Sequence, residues 1–320
     1  MTRVHTGHDT VAIAGGEFAM GSNDHYPEEA PVHRVRVGPF GMDRHPVTNR
    51  GFARFVADSG YRTVAERPLD PADFPGAPPE NLAPGSMVFT PTPGPVDLRH
   101  LSQWWTWRPG AGWARPEGPG SSIRDRPDHP VVHIAHEDAA AYAAWIGARL
   151  PTEAEWELAA RGGLDGAPFT WGDRARPDGR IMANTWNGPD FPWRSSPESP
   201  WDRTSPVGSF PANGFGLHDM AGNVWEWTAD WWTARHPDDA AKPCCVPADP
   251  RGGTVEGSLD TAQPQFRVPR KVVKGGSHLC ADTYCLRYRP AARRPQPVDT
   301  GMSHIGFRCA WSHPADEERT

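Results

Sequence analysis

The sequence lacks any apolar run near the length of a membrane span, and its start lacks the basic and apolar segments of a secretory signal. We therefore expect a cytoplasmic protein. Acidic and basic residues are mixed along the chain, whose formal charge is −6, so there is no basic face for nucleic acid and no membrane-binding helix. The GxSxG, GxGxxG and P-loop motifs are also absent.

Apolar residues are scarce too, at 37% of the chain, but 15 tryptophans and 12 phenylalanines supply bulky core material. The chain also contains 33 glycines and 37 prolines, a content that predicts much irregular backbone. No internal repeat or linker divides the sequence. We expect a single mixed α+β domain over residues 11–313, with residues 1–10 and 314–320 as termini.

The local pattern predicts only a few regular elements. Alternation and turn residues over 11–42 indicate short strands. Thr48 is placed to cap a helix over 49–58, and Thr152 with Glu155 forms the capping box of a second helix that Gly162 ends. The remaining predictions are a strand at 129–135, a helix at 137–150, and strands at 272–277 and 305–310.

Two cysteines stand five residues apart in the stretch GGSHLCADTYCLRYRPAARRP, residues 275–295. A strand would point Cys280 and Cys285 to opposite faces, and a helix would separate them by about 140°. Both sulfurs can meet only if the backbone turns at 281–283. The pair is then a disulfide, a clamp for a soft ion such as Cu(I), or two unrelated core thiols. The polar neighbours favour a site; they are Ser277, His278, Tyr284 and Arg293.

Other groups of polar residues have simpler interpretations. Asp219 and Glu226 lie in GLHDMAGNVWEWTADWW, which is either a calcium-type oxygen site or a tryptophan-rich turn, and the turn is favoured. His129, His133 and His136 are spaced like metal ligands, but a strand followed by a helix cap would scatter their rings. The other cysteines are predicted to be loop thiols and a packed strand residue; they are Cys244, Cys245 and Cys309.

Long stretches of the sequence resemble the formylglycine-generating enzymes, or sulfatase-modifying factors. They include GGEFAMGS, HPVTNRGFARFV, DRPDHPVVHIAHEDAAAYAAWIGARLPTEAEWELAARGG, PVGSFPANGFGLHDMAGNVWEWTADWW, KGGSHLCADTYCLRYRPAAR and HIGFRCA. The early stretches are shared by a wider superfamily, whereas GGSxxCxxxYCxRYRxAAR is specific to the enzymes. The resemblance implies an irregular, loop-rich α+β fold related to C-type lectin-like domains, with little regular secondary structure.

The resemblance also implies an activity. Such enzymes oxidise the cysteine of a CxPxR motif in unfolded or nascent sulfatases to Cα-formylglycine, with O₂ and a thiol reductant, and they act as monomers. Cu(I) would be held by Cys280 and Cys285, with the substrate thiol as a further ligand. The residues that match the family's pocket are Ser277, Tyr284, Trp225 and Arg293, with His304 where many members carry Asn.

Two structural calcium ions are implied as well. The positions that match the first calcium site are Asp219, Gly222, Val224 and Glu226. The second site matches Asn184, Thr185 and Trp201, but its expected aspartate falls at Ser199, in a segment that departs from the family pattern.

Two other functions remain open. A non-haem iron sulfoxide synthase of the ergothioneine type shares this fold, but it adds an N-terminal helical domain with three histidine ligands, and we expect no such domain before Val11. A lectin-like module that only binds is the other, because a fold by itself does not establish an activity. The intact cysteine pair favours the oxidase over both.

Overall fold

Short strands joined by long loops make up an α+β fold, as the glycine and proline content predicts. The computed structural model describes residues 9–72, 76–79, 82–195, 200–237 and 246–312. The strands are β1 (Thr10–Ile13), β2 (Gly16–Met20), β3 (His33–Val37), β4 (Phe40–Asp43), β5 (Gly85–Phe89), β6 (Trp105–Pro109), β7 (Trp225–Trp231), β8 (Arg270–Lys274), β9 (Arg293–Pro297), β10 (Ile305–Gly306) and β11 (Ala310–Ser312). The helices are α1 (Asn49–Ser59), α2 (His136–Trp145) and α3 (Glu153–Arg161).

The four-stranded sheet has the order β10-β7-β8-β9. Register pairs Glu226 with Lys274 and Lys274 with Arg293, while β10 runs parallel to β7 with Ile305 opposite Trp225. One end of the sheet therefore brings together the start of β7, the end of β8, the start of β9 and the residue before β10. Smaller sheets are formed by β1-β4-β11, by β2-β3 and by β5-β6.

The helix predictions that rest on caps are confirmed. The Thr48 hydroxyl accepts a hydrogen bond from Gly51 N at 3.2 Å and begins α1, which ends at Gly60 in the left-handed region. Thr152 and Glu155 form a reciprocal capping box at the start of α3. The prediction for α2 is wrong at its far end, because the helix stops at Trp145 and Gly147 has a φ of 75°.

The strand predictions are only partly correct. The strands over 11–42 are confirmed. No strand forms at 129–135, where His133 has a φ of 62° that interrupts an extended ladder. The predicted strand at 272–277 ends at Lys274, and only Ile305 and Gly306 of 305–310 belong to β10. Two of the four tryptophans between residues 104 and 113 are buried, Trp104 and Trp113.

Three apolar clusters fill the interior. The largest surrounds Phe52, Tyr142 and Trp227, and a second packs α3 against β2 and β3 through Trp156 and Phe18. The third is aromatic and lies beside the convergent end of the sheet; it contains Phe89, Trp104, Trp186 and Phe191. No helix in the described ranges combines the length and apolar character needed to cross a membrane.

Buried ion pairs join segments that are distant in sequence. Arg308 contacts both carboxylate oxygens of Glu226, at 2.7 and 2.8 Å, and both side chains are fully buried. Lys274 lies 3.0 Å from Glu157 of α3, and these side chains are equally inaccessible. Removing one partner of such a pair strands a charge in the interior, which costs far more than the intact pair contributes.

We expect Arg308→Met to lower the free energy of unfolding by about 3–5 kcal/mol, because Glu226 would keep a buried charge without its partner. Urea denaturation followed by tryptophan fluorescence measures this. Arg50→Met is the matched control, since Arg50 and Asp128 form a pair whose side chains are 62% and 59% exposed, and it should change stability by less than about 1 kcal/mol. If both variants lost the same free energy of unfolding, burial of the Arg308–Glu226 pair would not be the reason for the loss.

Candidate functional site

The backbone after β8 turns sharply toward the convergent end of the sheet. Gly275 and Gly276 have φ values of 90° and 72°, a region that disfavours other residues. A Cβ on Gly276 would lie 2.9 Å from the Arg287 carbonyl oxygen, and one on Gly275 would lie 3.0 Å from the Trp156 ring. Both glycines are therefore required for the chain to leave the strand and enter the cysteine segment.

The backbone turns between the cysteines, which is the condition for their two sulfurs to meet. Tyr284 N and Cys285 N both donate to the Ala281 carbonyl oxygen, at 2.9 and 2.6 Å. This turn places the Sγ atoms of Cys280 and Cys285 3.1 Å apart, as free thiols. A disulfide would require about 2.05 Å, so the pair is reduced and in hydrogen-bonding contact. The two thiols are not unrelated core residues.

The environment makes the two thiols unequal. Burial raises the pKa of Cys280 well above its usual value. The hydrogen bond from Cys280 is the largest cause that lowers the pKa of Cys285 to about 6, and Arg287 and Arg294 lower it further. At neutral pH the pair is a Cys285 thiolate that accepts a hydrogen bond from the Cys280 thiol. The Ser277 N–H also points at Cys280 Sγ, at 3.4 Å.

The thiols open onto a cavity of about 220 Å³. Most of the pocket residues predicted from the sequence line it; they are Trp225, Ser277, Tyr284 and His304. The sheet register explains this convergence, since Trp225 N donates to the His304 carbonyl oxygen at 2.9 Å across β7 and β10. Tyr284 stacks on Phe191 with 4.7 Å between ring centroids.

The structure does not bring Arg293 into this cavity. Its guanidinium contacts both carboxylate oxygens of Glu153 of α3, at 2.6 and 2.9 Å. Successive residues of a strand point to opposite faces, so its neighbour in β9, Arg294, faces the thiols instead. Arg287 is the second cavity arginine. Alternation along β9 predicts from the sequence that Arg293 and Arg294 point to opposite faces, but not which of them faces the thiols.

A segment near the N-terminus supports the cysteine loop, and sequence reasoning missed it. The Tyr26 hydroxyl accepts a hydrogen bond from Leu286 N at 3.0 Å, and Arg287 stacks over the Tyr26 ring at 3.6 Å. Arg287 also pairs with Glu28 at 2.6 Å. These contacts hold the residues just after Cys285, but they span more than 250 positions, and no local pattern could have indicated them.

An apolar and aromatic wall encloses the thiols, and it too was not predicted. Its members are Leu101, Trp104, Trp105, Phe191 and Leu279. Trp105 packs against His304, with 4.7 Å between ring centroids. Burial holds the pKa of His304 well below its usual value, so the ring is neutral at physiological pH. Its Nδ1 is buried, and no described residue hydrogen-bonds to it.

The positions matched to the first calcium site do not offer a free carboxylate at Glu226. That side chain is neutralised by Arg308 and accepts a hydrogen bond from Trp156 Nε1 at 2.8 Å. Asp219 Oδ2 accepts from Gly208 N at 2.7 Å, and burial raises the pKa of Asp219 to about 6. These residues therefore do not fit a calcium site that takes Glu226 as an anionic ligand. Val224 is buried beside them.

The positions matched to the second calcium site lie next to the first. Asn223 N donates to the Asn184 carbonyl oxygen at 2.7 Å, and a Cβ on Gly222 would lie 2.3 Å from that same oxygen and 3.2 Å from Thr185. Trp201 packs edge-on against Phe210. Ser199 lies outside the described residues. Calcium at this second site therefore stays a prediction from the resemblance.

The three histidines at 129–136 have different contacts, and His136 packs edge-on against Trp227. His129 contacts the Thr204 hydroxyl at 3.0 Å, while His133 contacts Ser86 and the Pro116 carbonyl oxygen. In the described ranges, no three His, Cys, Asp or Glu side chains gather as a metal-binding group. Cys309 is buried in the core beside β11, and Cys244 and Cys245 lie outside the described residues.

Comparison with known proteins finds one family over almost the whole chain. Residues 1–313 match the model of the sulfatase-modifying factor enzyme 1-like domain. The formylglycine-generating enzyme of Mycobacterium tuberculosis is 55% identical over 94% of this chain and 97% of its own length. The inactive C-alpha-formylglycine-generating enzyme 2 of Mus musculus is 36% identical over 94% of this chain and 85% of its own.

Among solved structures, PvdO from Pseudomonas aeruginosa superimposes with a TM-score of 0.59 over 95% of this chain and 94% of its own. Its sequence is only 24% identical, so that likeness concerns the fold. Because the family also contains an inactive member, the similarity alone does not identify the reactive groups. The thiol pair and its cavity must supply that argument.

We expect Arg287→Met to raise the pKa of Cys285 from about 6, because the thiolate loses a neighbouring cation. A rise of roughly one unit corresponds to about 1.4 kcal/mol. Iodoacetamide labelling of the peptide that contains Cys285, followed by mass spectrometry across pH, measures the midpoint. Arg50→Met is the control, since its partner is Asp128, and its midpoint should not move. An unchanged midpoint in Arg287→Met would contradict the electrostatic account.

Proposed function

The chain belongs to the sulfatase-modifying factor family, and from that membership and the thiol cavity we propose that it is a formylglycine-generating oxidase. The substrate is the cysteine of a CxPxR motif in an unfolded or nascent sulfatase. The product is Cα-formylglycine, and O₂ and a thiol reductant are consumed. The observation that carries the proposal is the free pair of Cys280 and Cys285, with 3.1 Å between their Sγ atoms, in a cavity that aromatic side chains and two arginines line.

The thiol pair suits Cu(I) as the cofactor. Thiolates favour soft monovalent copper, and the site offers two sulfurs without a third protein side chain of the metal-binding kinds in the described ranges. The pair already shares one proton, which a monovalent cation could replace at little electrostatic cost. Copper bound by Cys280 and Cys285 would supply the redox chemistry with O₂, and two-coordinate ligation would leave access for the substrate thiol.

The chain's own residues prepare the site for a thiol substrate. Arg287 and Arg294 stabilise negative charge on sulfur at Cys285, and they would favour deprotonation of an incoming substrate thiol as well. The apolar and aromatic wall makes the surroundings of the sulfurs less polar than water, which strengthens these electrostatic interactions. Neutral His304, with its unpartnered Nδ1, offers a hydrogen-bonding atom on the cavity wall.

The overall reaction balances with two equivalents of a small thiol. The substrate side chain CH₂–SH, one O₂ and two reductant thiols give CHO, hydrogen sulfide, water and one reductant disulfide. The substrate carbon loses its sulfur and one hydrogen atom and gains oxygen. Four electrons reduce O₂, and the substrate carbon and the reductant supply two each.

Two other functions are distinguishable from this one. A lectin-like binder would recognise the peptide without changing its mass, as a catalytically inactive family member would. A non-haem iron sulfoxide synthase would carry iron as isolated and add oxygen to sulfur. The Cys285 thiolate favours the oxidase, because a module that only binds has no need for a thiol whose pKa is lowered to about 6.

We expect Cys280→Ser and Cys285→Ser each to abolish conversion of a CxPxR peptide, because a single sulfur cannot hold Cu(I) in the same way. Mass spectrometry follows the replacement of CH₂–SH by CHO in peptide incubated with copper, O₂ and dithiothreitol. Cys309→Ala is the control: Cys309 is buried but lies away from the cavity, and the variant should retain turnover. Normal turnover in either site variant would exclude the proposal.

Copper dependence is tested separately. The reduced protein should bind one Cu(I) per chain in competition with a chromophoric chelator, and both cysteine variants should lose most of that affinity. Excess chelator should stop peptide conversion by the unaltered protein, and added Cu(I) should restore it. Turnover that persists in copper-free protein would assign the oxidase another cofactor.

A further inference from the structure

A second concavity, which we call the apolar groove, lies beside the thiol cavity. Its volume is about 450 Å³, and its wall includes Leu69, Trp107 and Phe266. Phe266 is 48% exposed, which is unusual for so large an apolar side chain. The charged lining residues are Asp260, Arg270 and Asp299, and Arg270 pairs with Asp260 at 3.2 Å. The wall therefore suits an apolar side chain better than an ion.

Three chain segments run directly from the thiol cavity to the apolar groove. In β6, Trp105 lines the thiol cavity and Trp107 lines the apolar groove. In β9, Arg294 lines the thiol cavity and Pro297 lines the apolar groove. The third segment runs from Gly301 in the groove to His304 in the cavity. Residues two or three apart on a strand are separated by about 7–10 Å. A single extended polypeptide could therefore occupy both concavities.

We propose that the apolar groove binds an apolar side chain of the client polypeptide, a few residues from the cysteine that enters the thiol cavity. This inference rests on the proposed function. An unfolded client exposes apolar side chains that its native fold would bury, so the groove meets such groups only before folding. At about 3.3 Å per residue, a separation of about 7–10 Å places that side chain roughly two to three residues from the cysteine.

The groove also accounts for selectivity between clients. The short CxPxR motif would be shared by all of them, whereas apolar residues at a defined distance would not. Partial burial of one Leu or Phe side chain would tighten binding by about three- to thirty-fold, which corresponds to about 0.7–2 kcal/mol. Clients with a matching residue should therefore bind better by about three- to thirty-fold, through affinity rather than through the chemical step.

The test uses fluorescein-labelled CxPxR peptides in which Ser replaces the reactive Cys, so that binding is read without oxidation. Leu is placed in turn at positions two to seven before this Ser and at positions three, five, six and seven after it, in an otherwise Gly/Ser background, so that the Pro and Arg of the motif are kept. Fluorescence anisotropy should show tighter binding by about three- to thirty-fold at one or two adjacent positions on one side only. Equal affinity at all positions would overturn the inference.

A variant then locates the contact. Phe266→Ser should remove the advantage of the Leu peptide over the all-polar peptide and leave the affinity for the polar peptide unchanged. Leu164→Ser is the matched control, because Leu164 is 41% exposed and does not line the groove; it should preserve the advantage. Leu69→Ser is a second variant of the groove wall. If the Leu peptide still binds more tightly than the polar peptide in both Phe266→Ser and Leu69→Ser, the contact lies elsewhere and the inference is overturned.

The two proposals fail in different ways. Position-dependent binding without conversion of the matching Cys peptide would contradict the oxidase and leave the groove assignment intact. Conversion of Cys peptides with a KM that does not respond to the Leu position would support the oxidase and exclude the groove. If both hold, the Leu should lower KM by the same factor as it tightens binding, with kcat unchanged.

Discussion

Buried ion pairs on either side of the cysteine loop are the interactions on which the rest of the site depends. Lys274, the last residue before the glycine turn, pairs with Glu157 inside the protein. Arg289, four residues after Cys285, contacts both oxygens of Glu29, at 2.8 and 2.5 Å. A loop without regular hydrogen bonding would otherwise sample many conformations. Charges that cannot be left unpaired in the interior fix both of its ends.

That constraint explains why so little regular secondary structure can hold a precise site. The two sulfurs must meet within a few tenths of an ångström, and their loop is neither helix nor strand. The sheet register fixes one side of the cavity, and the Tyr26–Glu28 segment fixes the other through Leu286 and Arg287. The same arginine that anchors the loop also stabilises the Cys285 thiolate, so positioning and electrostatics are coupled.

Local sequence patterns predicted the elements whose ends depend on local chemistry. Thr48 and Thr152 were identified as caps because the hydrogen bond of a cap involves residues only three positions away. The strand at 129–135 was wrongly predicted, because the positive φ of His133 is supported by buried contacts to Ser86 and Pro116, which no local pattern contains. Long-range contacts determine where a strand forms more often than they determine where a capped helix begins and ends.

The sequence by itself determined that the two cysteines can meet only across a turn, and it also determined the polar character of their surroundings and the resemblance to one family. It also indicated Trp225, Ser277, Tyr284 and His304, all of which line one cavity. Only the tertiary structure decided that Arg294, and not Arg293, faces the thiols, because the direction of a strand side chain depends on which face meets the core. The different charge states of the two thiols likewise come from burial and from arginines that folding brings together.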